Sequence, residues 1–167
     1  MKYKIVTSGK ANLLAISEIS RSLKVQSDVF IISDKEIYLG SIYNKTLVFF
    51  ATEFADYALQ NYEKERLPEA EECIDLVRKW IKDDTSISNE ELRAAADAAA
   101  AAATYAAAAA YAAADPAYTA DAAYAAYAAA NAANAAYAAG KDREKEFIRQ
   151  GEFILNFLKS GKNLFLV

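Results

Sequence analysis

The segment between residues 94 and 139 constrains the fold more than any other part of the chain. Alanine occupies 32 of its 46 positions, and the segment contains no Leu, Ile, Val, Phe, Met, Lys, Arg, Glu or Gly. Because alanine is the best helix former, local propensity predicts helix throughout. Pro116 lacks a backbone donor and should divide the run. We predict two long alanine-rich helices, over Asn89–Ala114 and Pro116–Ala139, and Gly140 is a stop signal after the second.

The methyl groups of such helices determine how they pack. One buried alanine contributes only about 0.5–1 kcal/mol, but its small side chain lets two helix axes approach to about 8 Å. Many close contacts then replace a few contacts between large side chains. The composition promotes helix, so a disordered tract is not expected. The segment therefore predicts a mainly α fold, a multi-helix bundle in which the alanine faces lie inside.

Amphipathic helices are predicted on both sides of the alanine tract. Apolar residues spaced by three or four predict a helix over Leu47–Arg66, and Pro68 opens the next one. The buried stripe of this next helix comprises Ala70, Cys73, Ile74, Val77, Trp80 and Ile81. Ser88 and Glu91 form a capping box at the start of the tract. A closing helix is predicted over Lys141–Lys159.

The first part of the chain is richer in β-branched and aromatic residues. A helix is predicted over Lys10–Lys24. The runs Val29–Ile32 and Ile37–Tyr43 flank a polar turn and favour a short β hairpin, with two helix fragments as the alternative. We therefore divide the chain into a small N-terminal segment, residues 1–46, and an alanine-rich helical bundle domain, residues 47–167.

The lack of histidine and the single cysteine exclude several function classes. A Ser-His or Cys-His pair cannot form, and a zinc site needs several Cys or His ligands. One cysteine allows no internal disulfide, and the first ten residues lack an apolar signal core. Alanine is too weakly apolar to favour a membrane span. We therefore expect a cytoplasmic protein that is not an enzyme, carries no cofactor or metal and does not contact a membrane.

Three features are candidates for chemistry, but each is better interpreted as structure. Cys73 lies on an apolar stripe, so we expect a buried thiol rather than a reactive one. The carboxylates between residues 63 and 75 alternate with Lys and Arg, which indicates a solvated, ion-paired face. Asp97, Asp115 and Asp121 could meet as a metal site, but no other ligand type is near them. The five glycines form no phosphate-binding motif.

The non-alanine residues of the tract fall on defined helix faces. Asp97, Thr104 and Tyr111 are seven residues apart, and a 3-4-3 spacing runs from Tyr124 to Asn134. Tyrosine brings a large contact area with few rotatable bonds, which suits protein interfaces. The alternative is that these stripes are only solvated edges of the bundle. The candidate partner-binding residues are Tyr105, Tyr111, Tyr118, Tyr124, Tyr127, Asn131, Asn134, Asp97, Asp115 and Asp121.

The order of the elements resembles that of a known family. The run LVFFATEFA from Leu47 is followed by YAL, YE and RLP, then by the helix LPEAEECIDLVRKWI and by EELRAA at the start of the alanine tract. Over about residues 47–160 this arrangement is similar to an alanine-rich immunity-protein family of bacteria, the one numbered five. Many members carry His or Arg within the tract, where this chain has Asp, Asn, Thr and Tyr.

The resemblance implies a helical bundle without catalysis that binds and neutralises a protein. We therefore predict a non-catalytic protein-binding inhibitor of bacterial immunity or phage counter-defence type, which acts through helical-surface contact. The net charge of −4 favours a basic partner, such as a nuclease or a nucleic-acid-handling complex, and disfavours direct contact with nucleic acid. The alternative is a structural, self-associating helical module, with a homodimer as its simplest form.

Overall fold

The computed structural model describes residues 2–5, 27–32, 35–40, 44–119 and 123–159, with side chains only inside the helical part. These residues form three strands and six helices, which are β1 (Lys2–Ile5), β2 (Ser27–Ile32), β3 (Lys35–Gly40), α1 (Asn44–Asn61), α2 (Pro68–Lys82), α3 (Asn89–Ala100), α4 (Tyr105–Thr119), α5 (Ala123–Ala138) and α6 (Arg143–Lys159). The predicted multi-helix bundle is confirmed, and several of the predicted helix boundaries are corrected below.

A small sheet precedes the helices. β2 is its middle strand, paired in parallel with β1 and antiparallel with β3. In the antiparallel pair Phe30 lies opposite Ile37. β2 and β3 overlap the runs Val29–Ile32 and Ile37–Tyr43, for which the sequence favours a hairpin. The helix predicted over Lys10–Lys24 lies outside the described residues.

Helix α1 runs through the core and ends earlier than the sequence predicts. It buries Phe50, Phe54 and Ala58 completely. The predicted helix extends to Arg66, whereas α1 ends at Asn61. The last four residues of the predicted range are all charged. They offer no apolar face to hold a further turn against the bundle, and packing of such a face is the main source of helix stability in proteins.

The predictions for α2 and for the start of α3 are confirmed. α2 begins at Pro68, and all six residues of its predicted stripe are buried. At the start of α3 the Ser88 hydroxyl accepts a hydrogen bond from the backbone N–H of Glu91 (3.1 Å). The Glu91 carboxylate in turn accepts one from the N–H of Ser88 (2.8 Å). This reciprocal pair satisfies two helix-end donors and fixes where the alanine tract begins.

The alanine tract forms three helices among the described residues, not two. The helix predicted over Asn89–Ala114 is interrupted at residues 101–104, so that α3 ends at Ala100 and α4 begins at Tyr105. An unbroken helix of that length would measure about 39 Å at 1.5 Å per residue. The longest neighbouring helix, α1, has 18 residues. By folding back, the chain buries methyl groups that an overhanging rod would leave in water.

Pro116 lies inside α4 instead of dividing two helices, which corrects the second predicted boundary. α4 continues to Thr119, and α5 begins at Ala123 rather than at Pro116. A proline interrupts a helix because it removes the hydrogen bond to the residue four positions earlier and crowds that carbonyl. So close to the helix end this loss concerns only the last turn, and α4 tolerates it.

Helix α4 is the centre of the bundle. It contacts α1, α2, α3 and α5. Seven of its alanines are buried, namely Ala106, Ala107, Ala109, Ala110, Ala112, Ala113 and Ala114. Because a methyl group is the smallest side chain that still favours helix, four neighbours can approach α4 closely. The expectation that the alanine faces lie inside the bundle is thereby confirmed.

Aromatic side chains join α1 to α6. The Phe50 ring meets Phe153 and Phe157 edge to face, with centroids 6.3 and 5.3 Å apart. Phe54 also meets Phe153 edge to face, at 5.7 Å. Such tilted pairs place a ring edge against a ring face, which their charge distribution favours. The core therefore has an alanine part around α4 and an aromatic part between α1 and α6.

Candidate functional site

A cleft of about 830 Å³, called the terminal cleft below, opens where α1, α3 and α5 end and α4 begins. Alanine residues of α3, α4 and α5 line much of it. Its polar and aromatic lining includes Tyr62, Glu63, Glu65, Tyr105, Tyr111 and Asn131. The volume is within the range of small-molecule and side-chain pockets in proteins. The terminal cleft is therefore the candidate functional site.

Three of the ten predicted partner-binding residues lie together in the terminal cleft. Tyr105 and Tyr111 come from α4, and Asn131 comes from α5. Tyr105 is 50% exposed, whereas Tyr111 and Asn131 are more buried. The sequence placed these residues on two separate stripes. The structure brings them to one site because the ends of α4 and α5 adjoin there.

The remaining predicted residues of α5 lie outside the lining of the cleft. Tyr127 is 58% exposed and its ring contacts that of Tyr124, with centroids 5.5 Å apart. The side-chain oxygen of Asn134 accepts a hydrogen bond from Arg143 (3.2 Å). Tyr137, which the sequence analysis left out, is the most exposed of these aromatic residues at 71%. Tyr127, Asn134 and Tyr137 are thus polar or aromatic residues of α5 outside the cleft.

The predicted aspartates do not form one surface. Asp97 is exposed on α3, whereas Asp115 is only 4% exposed within α4 and lies beneath the surface. The side chain of Tyr118 and all of Asp121 lie outside the described residues. Within the part of the chain that is described, no group of three or more Cys, Asp or Glu side chains is arranged to hold a metal ion.

The break between α3 and α4 builds one side of the cleft. Ala103 has a φ of 55°, in the left-handed region. The Thr104 hydroxyl then accepts a hydrogen bond from the backbone N–H of Ala107 (3.2 Å), which caps α4. Thr104 was predicted as part of a heptad stripe inside a longer helix, and that prediction is wrong. Helices usually end at a left-handed glycine, so an alanine in this position gives no sequence signal.

A buried polar network adjoins the cleft through Tyr62. The carboxylate of Glu146, 2% exposed, accepts hydrogen bonds from the Tyr62 hydroxyl (2.6 Å), from Arg149 Nε and Nη2 (2.8 and 2.7 Å) and from Gln150 (3.1 Å). The Arg149 guanidinium also stacks on Tyr57, with 3.5 Å between the guanidinium carbon and the ring centroid. One cleft residue is thus held by buried charges of α6.

The electrostatics of this network favour a fixed protonation state. Burial and the hydrogen bond to Glu146 raise the pKa of the Tyr62 phenol above its ordinary value. Burial alone would lower the pKa of Arg149, but the hydrogen bonds to Glu146 outweigh it and the pKa is raised. Both side chains therefore stay protonated near neutral pH, and the network holds Tyr62 in place rather than exchanging protons.

Sequence reasoning missed the buried position of Glu146 and Gln150. Gln150 is 1% exposed and its amide donates to the carbonyl of Ala129 (3.0 Å) on α5. Its own side-chain oxygen is buried without a hydrogen-bond partner among the described residues. The spacing of the sequence could have indicated their burial. Residues 146, 150 and 154 are four apart and share a helix face, and Ile154 is fully buried.

Cys73 is a core residue, as the sequence predicts. It is fully buried, and its thiol donates to the carbonyl of Ala110 with 3.6 Å between sulfur and oxygen. Burial raises the pKa of the Cys73 thiol to about 12. Nucleophilic and metal-binding cysteines act as thiolates, so this thiol is inert near neutral pH.

A second groove, the acidic groove, adjoins the terminal cleft between α1 and α2. It measures about 520 Å³ and shares Glu63, Lys64 and Glu65 with the cleft. Five carboxylates and three cationic side chains line it. On its wall Arg78 pairs with Asp56 at 2.8 Å. The surface next to the cleft is therefore partly ion-paired, with an excess of negative charge.

Comparisons of the chain with protein-family models, with curated proteins and with solved structures find no match. Over the ranges that the structure describes, no helix is both long enough and apolar enough to cross a membrane. A functional assignment therefore has to start from the terminal cleft, the acidic groove and the residues that line them.

Proposed function

We propose that the chain is a non-catalytic protein-binding inhibitor of bacterial immunity or phage counter-defence type, which acts in the cytoplasm. The observation that carries this proposal is the terminal cleft, which collects Tyr105, Tyr111 and Asn131 from two helices beside an acidic groove. The resemblance of residues 47–160 to an alanine-rich immunity-protein family supports the same role.

The groups in the cleft are suited to contact with another protein. Tyrosine rings add contact area at a low cost in side-chain entropy, and the Asn131 amide can donate and accept hydrogen bonds. The excess of carboxylates in the acidic groove favours a basic partner, such as a nuclease or a nucleic-acid-handling complex. Opposite charges on two surfaces speed association and suppress wrong partners. The same negative charge disfavours direct binding to nucleic acid.

Co-expression tests the proposal. The genes next to this chain in its source genome are first expressed singly, and any toxic basic product is then expressed with the chain and with the Tyr105→Ala/Asn131→Ala variant. We expect the natural chain to restore growth and the double variant to fail, because the variant removes the exposed contact groups of the cleft. Circular dichroism checks that the variant keeps its helices.

Tyr137→Ala is the matched control, since Tyr137 is exposed but lies outside the lining of the cleft. It should restore growth as the natural chain does. Full rescue by the folded cleft variant, or no rescue by the natural chain, would count against the proposal.

Self-association is the second candidate function. The outward side of α3 exposes Ala94 and Ala98, and Ala101 follows at its end, so a smooth methyl surface is available to a second copy. Sedimentation velocity over a wide concentration range separates the two functions. A monomer at every concentration is expected for the inhibitor. A dimer fraction that increases with protein concentration would favour the self-associating module.

A further inference from the structure

The protein already binds one of its own arginines in a well-defined way. The Arg149 guanidinium lies over Tyr57, 3.5 Å from the ring centroid, and two of its nitrogens donate to Glu146. A planar guanidinium fits both an aromatic face and the two oxygens of a carboxylate. In this protein an arginine side chain is thus held between a tyrosine ring and a carboxylate.

The terminal cleft presents the same two kinds of group to the outside. Tyr105 is half-exposed and Tyr111 is partly exposed, and Glu63 and Glu65 lie in the same lining. Within the described residues neither carboxylate lies in an ion pair. Lys64 is the one cationic side chain of the described lining, so carboxylates outnumber cations there.

The backbone adds to the negative potential of the cleft. Helices α1, α3 and α5 end at it, and the last carbonyls of a helix carry partial negative charge. Helices α2 and α4 begin there with partial positive charge, of which the α4 end is capped by Thr104. Three negative helix ends and two carboxylates therefore adjoin the cleft, against two positive helix ends and one ammonium group. The balance favours a cationic occupant.

We propose that the terminal cleft binds an arginine side chain of a basic partner segment, with the guanidinium against Tyr105 or Tyr111 and paired with Glu63 or Glu65. This inference rests on the proposed function and names the chemistry of the partner at that site. Arginine is preferred to lysine because its planar group stacks on a ring while it donates to a carboxylate, whereas an ammonium group is a strongly hydrated point charge.

Fluorescence anisotropy of two labelled peptides tests the proposal on the full chain. The probes are an oligo-arginine and an oligo-lysine peptide of equal length and charge. We expect the arginine peptide to bind about tenfold more tightly, which corresponds to one stacked cation–ring contact. Tyr105→Leu/Tyr111→Leu should remove this preference, and Tyr105→Phe/Tyr111→Phe should keep it because the ring faces are retained. Tyr137→Leu, a change of an exposed ring outside the cleft, should also keep it.

The acidic residues are tested with a matched pair of variants. Glu63→Gln/Glu65→Gln should weaken binding of the arginine peptide. The control is Glu69→Gln/Glu72→Gln, at two exposed positions of α2 outside the lining of the cleft, which loses the same charge and should weaken binding much less. Equal affinity for the two peptides, or equal loss in the two glutamate variants, would show that only overall charge attracts the peptide and would overturn the proposal.

The outcome is separable from that of the proposed function. If the arginine preference is absent while the chain still restores growth, the arginine site is wrong and the inhibitor role stands. If the preference is present while growth is not restored, the site stands and the inhibitor role is wrong.

Discussion

Ala103 shows how one residue shapes the site. Its φ of 55° lies in a region that costs an alanine about 1–2 kcal/mol, because Cβ approaches the following carbonyl oxygen. This conformation lets the chain leave α3 and enter α4 within four residues, and Ala103 and Thr104 both line the terminal cleft. The bundle stabilises the strained turn because the reversal places α4 against four other helices and buries most of its alanines.

The first prediction concerns this turn. Ala103→Gly removes the steric cost, which the larger backbone entropy of unfolded glycine partly offsets, so we expect a gain of about 0.5–1 kcal/mol in the free energy of unfolding. Ala101→Gly is the control, because Ala101 has an ordinary helical φ of −64°. It should lose about 0.5–1 kcal/mol instead. Urea unfolding measures both, and a shift in the same direction for both variants would contradict the interpretation.

The second prediction concerns Tyr62, whose pKa is raised by burial and by Glu146. The folded protein therefore keeps a proton that the unfolded chain releases near pH 10. The stabilisation is fully present below that pH and is lost as the pH rises further. Tyr62→Phe should make the free energy of unfolding fall less steeply above pH 10. Tyr137→Phe, an exposed control, should keep the steep fall in the same alkaline unfolding series.

Helix α4 shows what an element made almost entirely of alanine can do. Four helices contact it and most of its alanines are buried, so its buried surface is much wider than the apolar stripe of an ordinary amphipathic helix. Close approach depends on each side chain being no larger than a methyl group. The alanine-rich segments are helical because of their propensity, but the length of each helix follows from the space that the neighbouring helices leave.

The third prediction tests this close approach. Ala113→Leu places a large side chain at a fully buried position of α4 and should cost about 1–3 kcal/mol of stability through overpacking. Ala98→Leu makes the same change at an exposed position of α3 and should stay within about 0.5 kcal/mol. The midpoint of urea unfolding distinguishes them. Equal midpoints would mean that α4 has room around it.

At the scale of the whole molecule, the buried network ties three helices together. Glu146, Arg149 and Gln150 lie on α6. Tyr57 lies on α1, and Tyr62 directly follows that helix. The backbone carbonyl of Ala129 on α5 accepts a hydrogen bond from Gln150. A buried carboxylate with several donors is specific in geometry even where its net contribution to stability is small. The position of the cleft relative to α6 depends on this contact.

The fourth prediction concerns that network. Glu146→Ala removes the carboxylate that Tyr62, Arg149 and Gln150 share and should cost about 1–3 kcal/mol, because their hydrogen-bond donors lose an acceptor while Arg149 still reaches water. Glu152→Ala removes an exposed carboxylate from the same helix and should stay within about 0.5 kcal/mol. Thermal or urea unfolding compares the two. A small effect of Glu146→Ala would show that water can replace the buried contact.

Local patterns were reliable wherever local physics decides the structure. The six-residue stripe of α2 and the capping box of Ser88 and Glu91 were predicted and are confirmed. The unbroken helix to Ala114 and the break at Pro116 were wrong, since alanine carries no marker for a turn that packing imposes. The cleft joins residues from separate helices, and no periodicity within one helix could place Tyr105 beside Asn131.

By itself the sequence determined that the alanine tract favours helix, that its helices pack through methyl groups and that no histidine or cysteine pair supplies chemistry. These properties depend on propensity and composition, which are local. Only the tertiary structure decided where the alanine helices turn, that Asp115 and Glu146 are buried, and which tyrosines share a cleft. An alanine surface has no side-chain shape that distinguishes one neighbour from another, so these outcomes depend on how the whole bundle fills its interior.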